Sequence, residues 1–556
     1  MRPAIVIAIV FSFFINVLAL ISPIYMLQVY DRVLGSRSEL TLLFITLIAV
    51  GLYIVYAALE ALRTQVLVRA GIGFDGQVRG QVFGSVLEST LAKKGAGAQA
   101  FRDIDTVREF MTGPGLLTFC DVPWVPVFVV ASFMLHPLFG FMSIIGGVVI
   151  LGLAIANDLF TRAPLQLATG AGIAAQNEAG TTMRNAEVMH AMGMWPGLQL
   201  RWERRRDDLI AWQASASDRG GGVMAAIKCV RQVLQTLILG GGAYLVLKGQ
   251  SSSGSMIAAS ILVGRALAPI EQAVGVWKVF LNTRGSWDRL QSTFRSIDAT
   301  PTRMSLPTAK GRVALDNVAV IPPGSDRPSL ANVSFTLEPG TCLGVIGPSA
   351  GGKSSLVRAM TGVWPTAKGS VKVDGYDLAQ WDPLQLGRSV GYLPQDVELF
   401  SGTVADNIAR FGPFEAQEVI DAAMLAGVHD MIQTLPKGYD TQIGDGGTAL
   451  SGGQRQRVGL ARAVFRRPPM IYLDEPNASL DQAGEAALAQ AIITLKQGSA
   501  IVFVTHKPNL LPLCDKILVL QNGLVTHYGD TSQVLAQLTV QPPPQQAPPE
   551  PANADT

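Results

Sequence analysis

Apolar residues crowd the first half of the chain in six stretches, roughly 4–27, 40–62, 122–135, 138–156, 223–247 and 256–281. A helix that crosses a bilayer needs about 20 mostly apolar residues. The first, second and fourth stretches satisfy this cleanly. The third is short and carries Pro123 and Pro126; the fifth carries Lys228 and Arg231, and the sixth Arg265 and Glu271. A charge inside a span is costly unless it faces a cavity, a partner or the interface. For Arg231, Arg265 and Glu271, lining a passage and pairing across helices fit equally well. Six such runs so close together favour membrane spans over buried core helices. Arg2 and the run that follows could mimic a secretory signal. The run continues past Pro23 and Tyr25 without a small-residue cleavage site, which makes it an uncleaved first span.

The polar stretches between the spans sort by charge. Arg63, Arg69, Arg79, Lys93, Lys94, Arg102 and Arg108 fall between spans two and three, and Arg162, Arg184, Arg201, Arg204, Arg205, Arg206 and Arg219 between spans four and five. The other loops hold only Arg32 and Arg37, then His136, then Lys248. Positive charge stays on the cytoplasmic side, so both termini and the two long loops are expected there. Ile104, Val107, Phe110 and Met111 recur at helix spacing, so these loops are expected to prolong the spans as helices. Arg204–Arg206 reads as a solvated or interfacial helix face, with a substrate-contact role as the minor alternative.

Beyond residue 298 the pattern changes. Residues 299–311 lack periodicity, contain two prolines and read as a linker. Short β-rich runs then alternate with helical ones: 313–320, 333–337, 342–346, 470–473, 500–505 and 517–521 read as strands. The fold class is therefore an all-α six-helix membrane domain (1–298), a linker, an α/β domain (312–538) and a Pro-rich tail (539–556) expected to be disordered.

Composition agrees with a membrane part diluting a soluble one. Charged residues make up 15% of the 556, against about 25% in soluble proteins, and mean hydropathy is positive. A net charge of +2 gives no global field for nucleic acid. The four cysteines form no CxxC pair, so reduced thiols are expected rather than a metal or redox site.

The chemistry-bearing motifs lie in the second half. Residues 347–355 read Gly-Pro-Ser-Ala-Gly-Gly-Lys-Ser-Ser and fit the phosphate-loop pattern between a strand and a helix. Its glycines let backbone N–H groups curl around phosphate oxygens, Lys353 adds a mobile positive charge, and Ser354 offers a hydroxyl to Mg²⁺. The run Met-Ile-Tyr-Leu-Asp474-Glu475 is an apolar strand ending in two carboxylates. Asp474 is the metal-side candidate and Glu475 the general base.

Residues 450–454, Leu-Ser-Gly-Gly-Gln, resemble the signature loop of ABC ATPases. Four further elements appear in that family's order, and the resemblance covers residues 312–538. His506 in Val-Thr-His resembles the switch histidine that contacts the γ-phosphate. Gln395 in Tyr-Leu-Pro-Gln-Asp resembles the Q-loop glutamine that touches Mg²⁺. Residues 477–481 resemble the D-loop and 439–447 the cross-linking loop of exporters. The resemblance implies that ATP and Mg²⁺ are held by Gly347, Ser349, Gly351, Gly352, Lys353, Ser354, Ser355, Asp474 and Gln395. It also implies that Ser451, Gly452, Gly453, Gln454 and Asp481 complete the site of an opposite subunit. One phosphate loop and one signature per chain imply a homodimer. The family's adenine-stacking aromatic is missing from Asn317-Val-Ala-Val-Ile-Pro-Pro-Gly324, where Ile321 or Pro322 offers only apolar contact.

Spans first and ATPase second is the layout of ABC exporter half-transporters. The stretches Ser22-Pro-Ile-Tyr-Met-Leu-Gln-Val-Tyr-Asp-Arg-Val-Leu34, Asp121-Val-Pro-Trp-Val-Pro126 and Pro269-Ile-Glu-Gln-Ala-Val-Gly-Val-Trp277 resemble hallmarks of type I secretion permease/ATPases. That resemblance implies an inner-membrane dimer, a membrane-fusion protein, an outer-membrane channel and a polypeptide substrate with a C-terminal signal. It also implies coupling helices near 94–101 and 194–200 that dock on the ATPase. Only residues 1–3 precede the first span, so a leader-cleaving exporter is not expected. An exporter of lipids or small amphipathic molecules is the alternative, and a membrane-anchored ATPase without cargo a more distant one.

Overall fold

The computed structural model describes residues 2–91, 99–298, 306–478 and 480–540. Part of the linker, part of the first coupling stretch, Ser479 of the D-loop and nearly all of the Pro-rich tail lie outside the described residues. The chain divides into two compact units, one built from the apolar helices and one from the α/β half.

Among the described residues of the first unit, six helices are long and apolar enough to cross a membrane: Pro3–Ser36, Glu39–Leu91, Pro114–Leu135, Pro137–Arg184, Trp195–Leu247 and Ser253–Gly275. The second and fifth have 53 residues each, about 80 Å of helix, far more than the ~30 Å of a hydrocarbon core. Among the boundaries that differ from the sequence reading, two involve breaks in the helix. The third helix starts eight residues earlier, with Pro114 at its first turn, and tightens to a 3₁₀ turn at Val122–Trp124. The prolines at 123 and 126 thus sit in a distorted segment inside the span rather than near its start. The sixth ends at Gly275, and a separate helix, Trp277–Asp298, follows. Apolar character continues across that break, so hydropathy alone hides it.

The secretion-type hallmarks have a packing role. Asp31 lies in a π-helical turn, Val29–Val33, and reaches the N-terminus of the sixth helix. Its carboxylate accepts from Gly254 N at 2.8 Å and Ser252 Oγ at 2.5 Å. A Cβ at Gly254 would press against this carboxylate at 2.6 Å, so only glycine admits the approach. Asp121 accepts from Arg63 Nη1 at 2.6 Å and Asn16 Nδ2 at 3.2 Å, while Arg63 also holds Glu60 at 2.7 Å and Ser12 at 2.7 Å. Arg63 is 3% exposed, and such a buried charge persists only when paired and hydrogen-bonded. Glu271 of the third hallmark pairs with Arg231 at 3.3 Å, which assigns those two charges to pairing across helices.

The second unit contains β1 (Val313–Val320), β2 (Leu330–Leu337), β3 (Cys342–Ile346), β4 (Lys368–Val373), β5 (Tyr376–Asp377), β6 (Val390–Leu393), β7 (Met470–Asp474), β8 (Ala500–Val504), β9 (Lys516–Gln521) and β10 (Leu524–Asp530). An antiparallel sheet of order β2-β1-β4-β5 accompanies a larger one of order β10-β9-β3-β8-β7-β6. In the larger sheet only the β10–β9 pair is antiparallel. β7 and β8 are buried along their whole length, which is why they read as unbroken apolar runs rather than alternating ones. The register pairs Val345 with Val504, Asp474 with Val504 and Leu393 with Leu473. The carboxyl ends of β3, β8, β7 and β6 therefore align, and the motifs that follow them emerge along one edge. Open α/β sheets bind ligands at that edge.

Candidate functional site

Residues 347–352 leave β3 and run into helix Lys353–Met360. Gly352 has φ +102°, and a Cβ there would meet Ser329 O at 2.7 Å, so both conformation and crowding demand glycine. The helix N-terminus presents backbone N–H groups and a partial positive charge to whatever lies in the loop. Lys353 is buried, and its Nζ donates to Gly347 O at 3.0 Å and Pro348 O at 2.9 Å. An ammonium has three donors, so one is left over. Burial pulls the Lys353 pKa below the usual lysine value, opposed by the charges of Glu475 and Asp474.

Asp474 ends β7. It is 2% exposed, and its Oδ1 has no hydrogen-bond partner among the described residues. Burial lifts its pKa above the usual carboxylate range; a hydrogen bond from Ser354 works against this, while Glu475 adds to it. A buried carboxylate oxygen without a partner is costly, beside a serine hydroxyl and facing a phosphate loop. That donor set, hard oxygens only, suits a divalent cation such as Mg²⁺. The loop and its leftover lysine donor suit a phosphate chain. The residues present therefore fit Mg²⁺ and a nucleoside triphosphate.

Glu475 stands just past the strand. Its Oε2 accepts from Gln395 Nε2 at 3.0 Å, and its Oε1 lies 2.9 Å from His506 Nε2. Three residues more than a hundred positions apart at the extremes are thus joined through one carboxylate that is 21% exposed. The signature is placed differently. Ser451 caps helix Gly452–Val464 in a reciprocal box with Gln454: Ser451 N donates to Gln454 Oε1 at 2.9 Å, and Gln454 N donates to Ser451 Oγ at 3.3 Å. Asp481 caps helix Gln482–Leu495 through Gly484 N at 2.8 Å and pairs with Arg457. Among the described residues, neither Ser451 nor Asp481 is bonded to the phosphate loop. Ser349 is exposed at the loop's tip, and Ser355 lies in the first turn of its helix.

The ABC transporter family matches residues 330–478, and the ABC transporter transmembrane region matches residues 5–267. The chain is 42% identical to the type I secretion system ATP-binding protein PrsD of Rhizobium meliloti, over 95% of this chain and 91% of that protein. The chain belongs to the type I secretion ABC transporter family. It is 27% identical to the cyclolysin secretion/processing ATP-binding protein CyaB of Bordetella pertussis and 28% to the leukotoxin translocation ATP-binding protein LktB of Mannheimia haemolytica. Each alignment spans 94% of this chain and 75% of the relative. A bacterial Atm1-family ABC exporter with ATP bound superposes with a TM-score of 0.81 over 97% of both chains at 22% identity, which shows the shared fold. The protein is an ATP-binding, ATP-hydrolysing transporter with a multi-pass membrane domain.

One residue of the candidate site escaped the sequence reading. Glu475 has φ +51°, an uncommon conformation for a non-glycine residue. Three bonds hold its backbone: its N–H donates to Val504 O at 3.1 Å, and its carbonyl accepts from Gln456 Nε2 at 3.0 Å and Ala478 N at 3.1 Å. Gln456 is 3% exposed, two positions beyond the signature motif, and no spacing rule marks it. Gln456→Ala is expected to remove one of the two donors to the Glu475 carbonyl and to lower kcat for ATP about fivefold, with KM nearly unchanged. Steady-state phosphate release measures both, and an unaltered kcat removes Gln456 from this supporting role.

Proposed function

We propose that the transporter is the inner-membrane motor of a type I secretion system. It works as a homodimer, with its ATPase domains and termini in the cytoplasm, and exports a polypeptide carrying a C-terminal secretion signal. A membrane-fusion protein and an outer-membrane channel are its partners. One observation carries this reading: the 42% identity to PrsD extends over 95% of the chain, so it includes the membrane half, where cargo would be handled. The basic loops between spans two and three and between spans four and five support the orientation.

In this reading the backbone of residues 347–352 and Lys353 hold the ATP phosphates, aided by Ser354 and Ser355. Ser354, Asp474 and Gln395 hold Mg²⁺, which when bound neutralises phosphate charge. Glu475 takes the proton of the attacking water, and His506 reaches the γ-phosphate. Ser451, Gly452, Gly453, Gln454 and Asp481 of one subunit close over the nucleotide of the other. The pre-capped start of helix Gly452–Val464 supports this, because Ser451 and Gly452 are exposed and, among the described residues, not bonded to the chain's own phosphate loop. Closure of two such sites moves the coupling stretches near 94–101 and 194–200; residues 92–98 lie outside the described residues. Work reaches cargo only through its different affinity for the closed and open states.

The test is a strain lacking this gene. Its culture medium is expected to lack at least one protein that accumulates inside the cells instead. An unchanged protein profile of the medium removes polypeptide export and leaves the small-molecule exporter.

A further inference from the structure

We infer that the first unit contains a binding groove for an acidic stretch of the exported polypeptide. This rests on the polypeptide-export reading and names the site and the chemistry it would recognise. A cavity of about 640 Å³ opens between helices Gln99–Thr112, Pro137–Arg184, Trp195–Leu247 and Trp277–Asp298. Lys278 stands at the end of the sixth apolar run, on the separate helix that follows the span, and the other lining residues lie outside the runs.

Arg102, Arg206 and Lys278 line it, and no carboxylate does. None of the three stands in an ion pair among the described residues. Neighbours on the same helix behave otherwise: Arg201 and Arg205 are paired with Glu178 at 2.7 and 3.4 Å. Of the arginine run at 204–206, then, Arg205 shares the Glu178 carboxylate with Arg201, while Arg206 faces the cavity. Its guanidinium stacks over the Trp202 ring at 5.4 Å, which braces it without cancelling its charge. Arg102 donates to Gln176, again a neutral partner.

The groove is longer than a single pocket. A second cavity of about 400 Å³ shares Leu165, Thr169, Ile173 and Asn282 with the first and adds Arg162 and Arg284, against one carboxylate, Asp288, that is not held by an arginine. Asp103 nearby is taken by Arg289 at 2.7 Å. An elongated basic trough suits an extended chain better than a compact anion. The side-chain amides of Gln99, Gln176, Gln213 and Asn282 along it offer both donors and acceptors, which a peptide backbone needs and a phosphate does not. Charge complementarity therefore favours a peptide bearing aspartate or glutamate side chains.

The experiment uses the purified full-length transporter and a fluorescent peptide of alternating glutamate and glycine, read by anisotropy. The probe is expected to bind, and the same peptide with glutamine for glutamate to bind about tenfold more weakly. Arg206→Gln with Lys278→Gln should weaken the glutamate peptide by a similar factor, whereas Arg206→Lys with Lys278→Arg should retain it. Basal ATPase activity, unchanged in both variants, reports that they fold. Equal binding of the two peptides, or of the glutamate peptide to both variants, overturns the inference. Secretion separates this failure from that of the broader reading. If deletion of the gene empties the medium while the glutamine variant secretes and binds normally, the groove alone is refuted. If deletion leaves the medium unchanged, the export reading falls whatever the peptide does.

Discussion

Glu475→Gln is expected to bind ATP with near-normal affinity and to lose turnover by about 10²–10⁴-fold, the contribution typical of a positioned general base. The substitution keeps size and shape, so Lys353, Ser354 and the loop backbone, which carry the affinity in the proposed site, are untouched. What changes is chemistry at two atoms. The carboxylate now meets Gln395 on one oxygen and His506 on the other. An amide offers one acceptor in place of two and cannot take a proton. Loss of turnover without loss of affinity is what the removal of a group that acts only in the transition state should look like. Nucleotide binding by fluorescence and phosphate release on the same preparation measure the two halves. Phosphate release within a few-fold of the parent would take the base away from Glu475 and turn attention to His506 or to a water held by backbone alone.

Which parts of this molecule could be read from its residues follows from how local their physics is. A span is a run of apolar residues, and all six were visible, because length and composition decide whether a helix crosses a bilayer. Their ends were less visible. The break after Gly275 falls between apolar residues, and the start at Pro114 depends on a first-turn proline that hydropathy does not register. In the α/β half the buried strands β3, β7 and β8 stood out as unbroken apolar runs. β4, β5, β6 and β10 did not: they are short, partly exposed, or alternate weakly. The phosphate loop and the Asp474–Glu475 pair stood out as candidates because the residues that define each motif are adjacent in the chain. Gln456 was not, since its role is to meet the carbonyl of Glu475 across the fold. The same holds for the hallmark acids. The chain displays Asp31 and Asp121 as motif letters, but that they hold Gly254 and Arg63 is a fact of helix packing.

Lys353→Ala and Ser451→Arg should each abolish ATPase activity as homodimers, and mixing the two should restore part of it. Lys353 is the buried cation of the phosphate loop, and its removal takes away the donor left for a phosphate after Gly347 and Pro348 are served. Ser451 sits at the exposed start of a helix, where an arginine breaks the capping box with Gln454 and crowds the N–H groups. In a composite site made from the loop of one chain and the signature of the other, each homodimer has two defective sites. The mixed dimer has one doubly defective site and one intact site. Random pairing of equal amounts makes half the dimers mixed, so recovery of about a quarter of wild-type activity is expected for independent sites. Co-expression with two affinity tags isolates the mixed dimer directly. A chain that served its own nucleotide could never be rescued this way, because each partner would carry its own lesion. Absence of activity in the tagged mixed dimer, with both parents folded, would count against the two-chain site, and recovery near a quarter would be hard to obtain by any other arrangement.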